Sequence, residues 1–279
     1  MPRSELSVPM AVASDAETKI IGSDGGSAAG RRSLPTEVPI NFIYGGIPFA
    51  VMMATPADIE DFAYGFSLTE GIIGHLDEIR GLRIEAAERG LLCSLELTAE
   101  RLHDHLARKR AMAGRTGCGL CGIDDLASLP AARPPQGSGP RVTAEAIRRA
   151  LAALELGQPL NDRTRAVHAA AWARLDGQID CVREDVGRHN ALDKLIGALA
   201  RRRADPADGF VIVTSRCSFE LVEKTAAFGA RILVAVSAPT ALALERAQAL
   251  DMAMVAIARH DTMTIFHGFD RIDTNGVTG

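Results

Sequence analysis

The C-terminal half of the chain alternates between two hydrophobic patterns. "GFVIVT" (209–214), "ARILVAVS" (230–237) and "MAMVAIAR" (252–259) are nearly unbroken apolar runs. Between them, "SFELVEKTAAFG" (218–229) and "TALALERAQAL" (240–250) carry apolar residues at helical spacing, and Gly229 suits a helix end. Strands apolar on both sides, separated by amphipathic helices, predict a sheet covered on both faces with largely parallel connections. Upstream, "VHAAAWARL-DG-QIDCVRED" (167–185) predicts two strands joined by an Asp-Gly turn, followed by a helix over "NALDKLIGALARR" (190–202).

The N-terminal half predicts a smaller α+β unit. "VPINFIY" (38–44) and "IPFAVMMA" (47–54) read as strands around a Gly45-Gly46 turn. A helix is expected from Thr55-Pro56 to about Gly71, with Thr55 as cap and Asp58 in the first turn. "LLCSLEL" (91–97) predicts a strand that buries Cys93, and a helix begins near Thr98. The resulting division is a flexible tail over 1–34, rich in Ser, Gly and Ala, then an N-terminal domain over 35–129 that ends in a mobile cysteine loop. The Pro/Gly-dense "PAARPPQGSGPR" (130–141) serves as linker, and an α/β domain fills 142–279.

Composition narrows the function. The chain has 279 residues, 47% of them hydrophobic, enough for a sizeable core. A net charge of −4 gives no field favouring nucleic acid, and the charges of the first 34 residues balance. The longest apolar stretch, 231–244, is broken by Ser237, Pro239 and Thr240, so no membrane span is expected. Five cysteines, an odd number and few for the length, fit a reducing cytoplasm better than a secreted disulfide framework.

Two features carry candidate chemistry. In repeated β-α units, ligands bind outside the carboxyl ends of the strands. Those ends hold Thr214, Ser215, Arg216 and Cys217, then Ser237, Pro239 and Thr240, then Arg259 and His260; "EDVGRHN" (184–190), with Arg188 and His189, precedes another helix start. Singly, Ser218 and Thr240 read as helix caps, His168 as a half-buried strand residue, and Asp193 and Lys194 as solvated helix surface. Jointly, these groups favour a phosphate-bearing ligand, although no G-x-G-x-x-G or Walker loop is present.

The second feature is "GRTGCGLCGIDDL" (114–126), with Cys118 and Cys121 in a C-x-x-C frame. That spacing fits a metal site, a redox pair or a sulfur carrier. A zinc site lacks its other half: there is no second C-x-x-C, and His103 and His105 would lie about 200° apart on one helix. A dithiol oxidoreductase would open a helix directly after a strand, whereas this pair follows "ARKRAMAGR" and is ringed by glycines. A sulfur carrier needs an exposed thiolate on a segment able to move. At pH 7 a thiol of pKa about 8.5 is roughly 3% ionised, and a one-unit drop raises this to about 24%. Arg115 and the cations Arg108, Lys109 and Arg110 are placed to favour that drop.

With both features in view, the sequence resembles the formate dehydrogenase accessory sulfurtransferase family (FdhD). The matching segments are "MMATPADIEDFAYGFSLTEGII", "GRTGCGLCG", "HAAAW", "EDVGRHNALDKLIG", "TSRCSFELVEK" and "AVSAPTALALERA", within about residues 37–272. The resemblance implies a cytoplasmic, homodimeric carrier with a cytidine deaminase-like C-terminal domain. It would take sulfane sulfur from a cysteine desulfurase and pass it to the molybdenum of a bis(molybdopterin guanine dinucleotide) cofactor destined for formate dehydrogenase. By the same resemblance Cys118 bears the persulfide with Cys121 as loop partner, and Ile257, Ala258, Arg259, His260, Asp261 and Thr262 form a cofactor-binding segment. There the family's Gly-Phe-x-Arg-like pattern reads Ala-Ile-Ala-Arg. Ser215, Arg216, Ser237, Thr240 and Arg259 are expected to grip the phosphates, with Arg188 and His189 nearby. A non-catalytic chaperone that only holds and docks the cofactor is the rival expectation.

Overall fold

The computed structural model describes residues 10–111, 132, 134, 139–259 and 261–274. The expected tail is structured from Ala13 onward. Strands β1 (Ala13–Ile21) and β2 (Ser27–Pro35) form an antiparallel hairpin with Glu17 opposite Arg31. Most of its side chains are exposed, so it lacks the hydrophobic alternation that announces a half-buried strand; its ladder and opposite-charge pairing hold it.

A four-stranded sheet follows, in the order β4-β3-β6-β5: β3 (Val38–Tyr44), β4 (Ile47–Ala54), β5 (Ile79–Ala87) and β6 (Gly90–Leu97). Gly45 and Gly46 both take positive φ in the β3–β4 turn. Helix α1 (Ile59–Thr69) lays Ile59, Phe62 and Phe66 on one sheet face, with the Phe62 and Phe66 rings 5.1 and 4.6 Å from that of Phe42. The helix starts four residues later than Thr55, behind Asp58 in the left-handed region. Thr55 does not cap it. Its N–H donates to Asp185, its hydroxyl accepts from the Val186 N–H, and its carbonyl accepts from Lys194, so the C-terminal half of the chain claims this residue. Helix α2 (Ala99–Ala111) leads away from β6. Of the expected linker, Ala132 donates its N–H to Glu223 at 2.6 Å and accepts from Arg246 at 2.8 Å.

The second half opens with β7 (Val142–Thr143), α3 (Ala144–Leu156) and α4 (Pro159–Thr164), none of which the sequence reading assigned. Then come β8 (His168–Arg174), β9 (Ile179–Asp185), α5 (Arg188–Arg201), β10 (Gly209–Val213), α6 (Phe219–Phe228), β11 (Ile232–Ala235), α7 (Ala241–Ala249), β12 (Ala253–Ala256), β13 (Thr264–His267) and β14 (Ile272–Asp273). The six-stranded sheet has the order β13-β12-β11-β10-β8-β9. Only β10, β11 and β12 run parallel; β8, β9 and β13 pair antiparallel, so the expected parallel character holds for the middle of the sheet alone. Helices α5, α6 and α7 bury one face, through residues such as Leu192, Leu195, Leu221 and Ala243. Helix α3 covers the other with Ile147, Leu151 and Leu154. The architecture is α/β with helices on both faces of the larger sheet.

The two halves meet where α1 crosses α5, and the crossing is very close. A β-carbon on Gly65 would lie 1.7 Å from the Asp193 carbonyl oxygen, and one on Gly197 would lie 1.8 Å from that of Asp61. The backbones therefore touch, as small residues permit, with glycine Cα–H groups directed at the opposing carbonyls. Charge surrounds this contact. Lys194, fully buried, bonds Asp185 at 2.6 Å and the Thr55 carbonyl at 2.9 Å. Lys224 bonds Asp193, Glu70 and Thr69 at 3.0, 2.9 and 2.9 Å. Asp193 and Lys194, expected as solvated surface, are instead sealed between the halves. Burial raises the Asp193 carboxyl, while Asp193 and Glu70 outweigh the burial of Lys224 and raise its ammonium.

Candidate functional site

The carboxyl ends of β10, β11 and β12 deliver three loops to one edge of the large sheet. Because β8 runs antiparallel to β10, its first residue, His168, stands at the same edge, opposite Asp185 at the end of β9. Helix α5 begins three residues after Asp185, so five strand ends and the first turns of α5 and α6 converge there.

The loops after β10 and β11 resemble one another, reading Ser215-Arg216-Cys217-Ser218 and Ser237-Ala238-Pro239-Thr240. A single bridge joins them: the Cys217 N–H donates to the Ala238 carbonyl and the Thr240 N–H to that of Cys217. They differ at the helix they feed. Thr240 caps α7 by accepting from the Ala243 N–H at 3.2 Å, the ordinary use of such a residue. Ser218 makes no such bond on α6, and α5 begins behind Gly187, which has no side chain to cap with. Two neighbouring helices of ten and fourteen residues thus present uncapped N-termini, while that of α7 is closed.

Two arginines and two histidines stand around those two termini. The Arg188 Nε is buried without a hydrogen-bond partner. Arg216 is exposed, and among the described residues its guanidinium has no ion-pair or hydrogen-bond partner. His189 places its Nε2 2.5 Å from the Glu220 carboxylate and 3.5 Å from Ser218 Oγ. His168 is half-buried, and burial, then Arg188 and His189, hold its imidazole below the usual histidine range. Two acids stand here: Asp185, paired with Lys194, and Glu220, held below the usual carboxylate range first by its hydrogen bond with His189. A sheet edge with two uncapped helix N-termini beside Arg188 and Arg216 suits an anion.

The other predicted residues are distributed less simply. Ser215 is buried and donates to the Arg216 carbonyl, and the Ser237 carbonyl accepts from the Ile257 N–H. Ile257 is exposed with φ +52°, whereas Ala258 is buried and its N–H bonds the Ala235 carbonyl, so Ala258 offers no side chain to a ligand. The Arg259 guanidinium folds back onto the Val236 carbonyl, and the Arg259 backbone N–H donates to the Thr262 carbonyl at 2.7 Å. Asp261 and Thr262 are exposed beside it. Cys118, Cys121 and His260 lie outside the described residues. His168, read from the sequence only as a half-buried strand residue, and Glu220, which that reading did not name, are further members. The first is found only once β8 is known to run against β10, and the second only once α5 is known to lie beside α6.

Two clefts lie away from this edge. One of about 450 Å³ is lined by Cys181, Arg183, Arg201 and Arg202 beside α1, but Asp61, Glu60 and Asp180 occupy its arginines. The other, of about 350 Å³, lies on the open face of the N-terminal sheet at Asn41, Val51 and Leu92. Among the described residues, no three His, Cys, Asp or Glu side chains are grouped to hold a metal ion.

Cys93, Cys181 and Cys217 are buried and unpaired. Burial pushes the Cys93 and Cys217 thiols up to about 12 and raises that of Cys181. Iodoacetamide at pH 8 should therefore leave Cys93 and Cys217 unmodified in the native protein and label both in urea, as peptide mass spectrometry would show. The unfolded chain loses these protons from a pKa of about 8.5, while the folded one keeps them to about 12, so stability falls as pH rises above about 8.5.

The FdhD/NarQ family model matches residues 35–273. The sulfur carrier protein FdhD of Xanthomonas euvesicatoria pv. vesicatoria (strain 85-10) is 44% identical over 255 residues, covering 91% of each chain. That of Cupriavidus necator H16 is 47% identical over 230 residues, 82% of this chain and 80% of its own. A crystal structure of a formate dehydrogenase accessory protein from Desulfotalea psychrophila has the same fold. Its TM-score is 0.73 at 23% identity, over 94% of this chain and all of that one. The motifs, the fold and the extent of these matches agree, and the chain belongs to the FdhD/NarQ family.

Proposed function

We propose that the protein accepts sulfane sulfur on Cys118 from a cysteine desulfurase and passes it to the molybdenum of a bis(molybdopterin guanine dinucleotide) substrate, whose phosphates sit in the cleft between α5 and α6. The role itself is that of a sulfur carrier in formate dehydrogenase maturation, in keeping with the names of its relatives. The observation that carries the proposed ligand is the pair of uncapped helix N-termini flanked by Arg188, His189 and Arg216, a match for a diphosphate. Ser215, Ser237, Arg259, Asp261 and Thr262 line the loops beside it; Thr240 serves its own helix. In the loading step the Cys118 thiolate attacks the outer sulfur of the donor persulfide, forming the new S–S bond as the donor cysteine leaves as thiolate. No described helix is long and apolar enough to cross a membrane, and the cytoplasm is the proposed compartment.

After incubation with desulfurase and cysteine, mass spectrometry should find one added sulfur on the peptide containing Cys118. Cys118→Ala should lose that mass and yield inactive formate dehydrogenase in a deletion host. An active dehydrogenase from Cys118→Ala would favour a chaperone that holds the cofactor without carrying sulfur.

A further inference from the structure

We infer that Glu220 is a positioning residue of the anion cleft: it holds the His189 imidazole by Nε2 and so offers the ring's other nitrogen, Nδ1, to a phosphate-class ligand. This rests on the reading of the cleft given above. An acid in the first turn of a helix has an ordinary use, which is to face its own helix dipole. Glu220 does more than that. Its carboxylate reaches from α6 across to α5 and meets His189 Nε2 at 2.5 Å, and Ser218 Oγ stands 3.5 Å from the same nitrogen. The neighbouring charges are Arg188 on α5 and Lys224 one turn along α6, both of which favour the ionised carboxylate, while His168 lies close enough to feel Arg188 and His189. A ring that donates from one nitrogen to a carboxylate and from the other to a phosphate carries a proton on each, and the two charge-assisted hydrogen bonds fix its plane.

A carboxylate among anion-binding groups should repel the ligand, so removing its charge should tighten binding if repulsion were its only effect. A residue that acts through His189 behaves the opposite way. Calorimetric titration of the full chain with pyrophosphate should show Glu220→Gln binding about tenfold more weakly than wild type, the loss of one charge-assisted contact. His189→Gln should lose about as much. The double variant should be no more than about threefold weaker than either single one, because both remove the same contact. Glu220→Asp should recover most of the affinity, and all variants should melt near the wild-type temperature. Equal or tighter binding by Glu220→Gln, or additive losses in the double variant, would overturn the role of Glu220. Wild-type protein that fails to bind pyrophosphate would overturn the cleft as an anion site, and this inference with it.

Discussion

Gly197→Ala should cost the protein more than about 4 kcal/mol, a loss that few single methyl groups cause. The added β-carbon would sit 1.8 Å from the Asp61 carbonyl oxygen, whereas real β-carbons essentially never come within 3.0 Å. Neither atom belongs to a side chain that could turn away, so α1 and α5 would have to part by an ångström or more. That movement would also stretch the buried bonds beside it, including Lys224 to Thr69 and Lys194 to Thr55. Gly65→Ala meets the Asp193 carbonyl at 1.7 Å and should cost a similar amount. Since either change forces the same separation, the double variant should lose little more than one of them. Urea unfolding followed by circular dichroism provides the measurement; a cost below about 1 kcal/mol for either variant would show that the crossing can relax freely.

Asp185→Asn should destabilise the protein by about 3–5 kcal/mol, the usual result of leaving a buried charge without its partner. Asp185 and Lys194 are both fully inaccessible to solvent, and burial holds the Lys194 ammonium below the usual lysine range. The Asp185 carboxylate also accepts from the Thr55 and Gly187 N–H groups and from Asn190 Nδ2, so it joins β9, the start of α5 and the entrance to α1. Lys194→Met should cost a comparable amount by stranding the carboxylate instead. Combining the two removes both charges and should return part of the loss, because the penalty belongs to the unpaired ion. Thermal melts of the four proteins at neutral pH test this, and strictly additive losses would contradict it.

The central β-α repeat was legible because β10, β11 and β12 are buried on both faces, and every residue of "GFVIV" is hidden. Edge elements were not. Strand β13 is half-exposed along its length, and the β1–β2 hairpin buries so little that its composition reads as a tail. Helix α3 left a readable stripe at Ile147, Leu151 and Leu154 behind a Thr143 cap, but alanine fills much of its remaining buried face. The site divides in the same way. Arg188, His189 and Arg216 could be placed from local order, since each follows a strand and opens a helix or its approach. The actual work of "EDVGRHNALDKLIG" could not, because the partners of Asp193 and Lys194 include Thr69 and Thr55, more than a hundred positions away. Polar residues at helical spacing look solvated until the second helix is in place.

Helix α5 has two employments at once. Its first turn carries Arg188 and His189 of the proposed anion site, and its next two turns, through Asp193, Lys194 and Gly197, seat it against the N-terminal half. Cutting the chain ahead of Val142 would thus not separate a binding fragment from a spare one. The C-terminal piece would bare a lysine and two aspartates that water now never reaches, and the rod that carries the cleft would lose its cradle. Under the proposed reading, occupancy at one end of α5 and attachment along its flank draw on a single equilibrium.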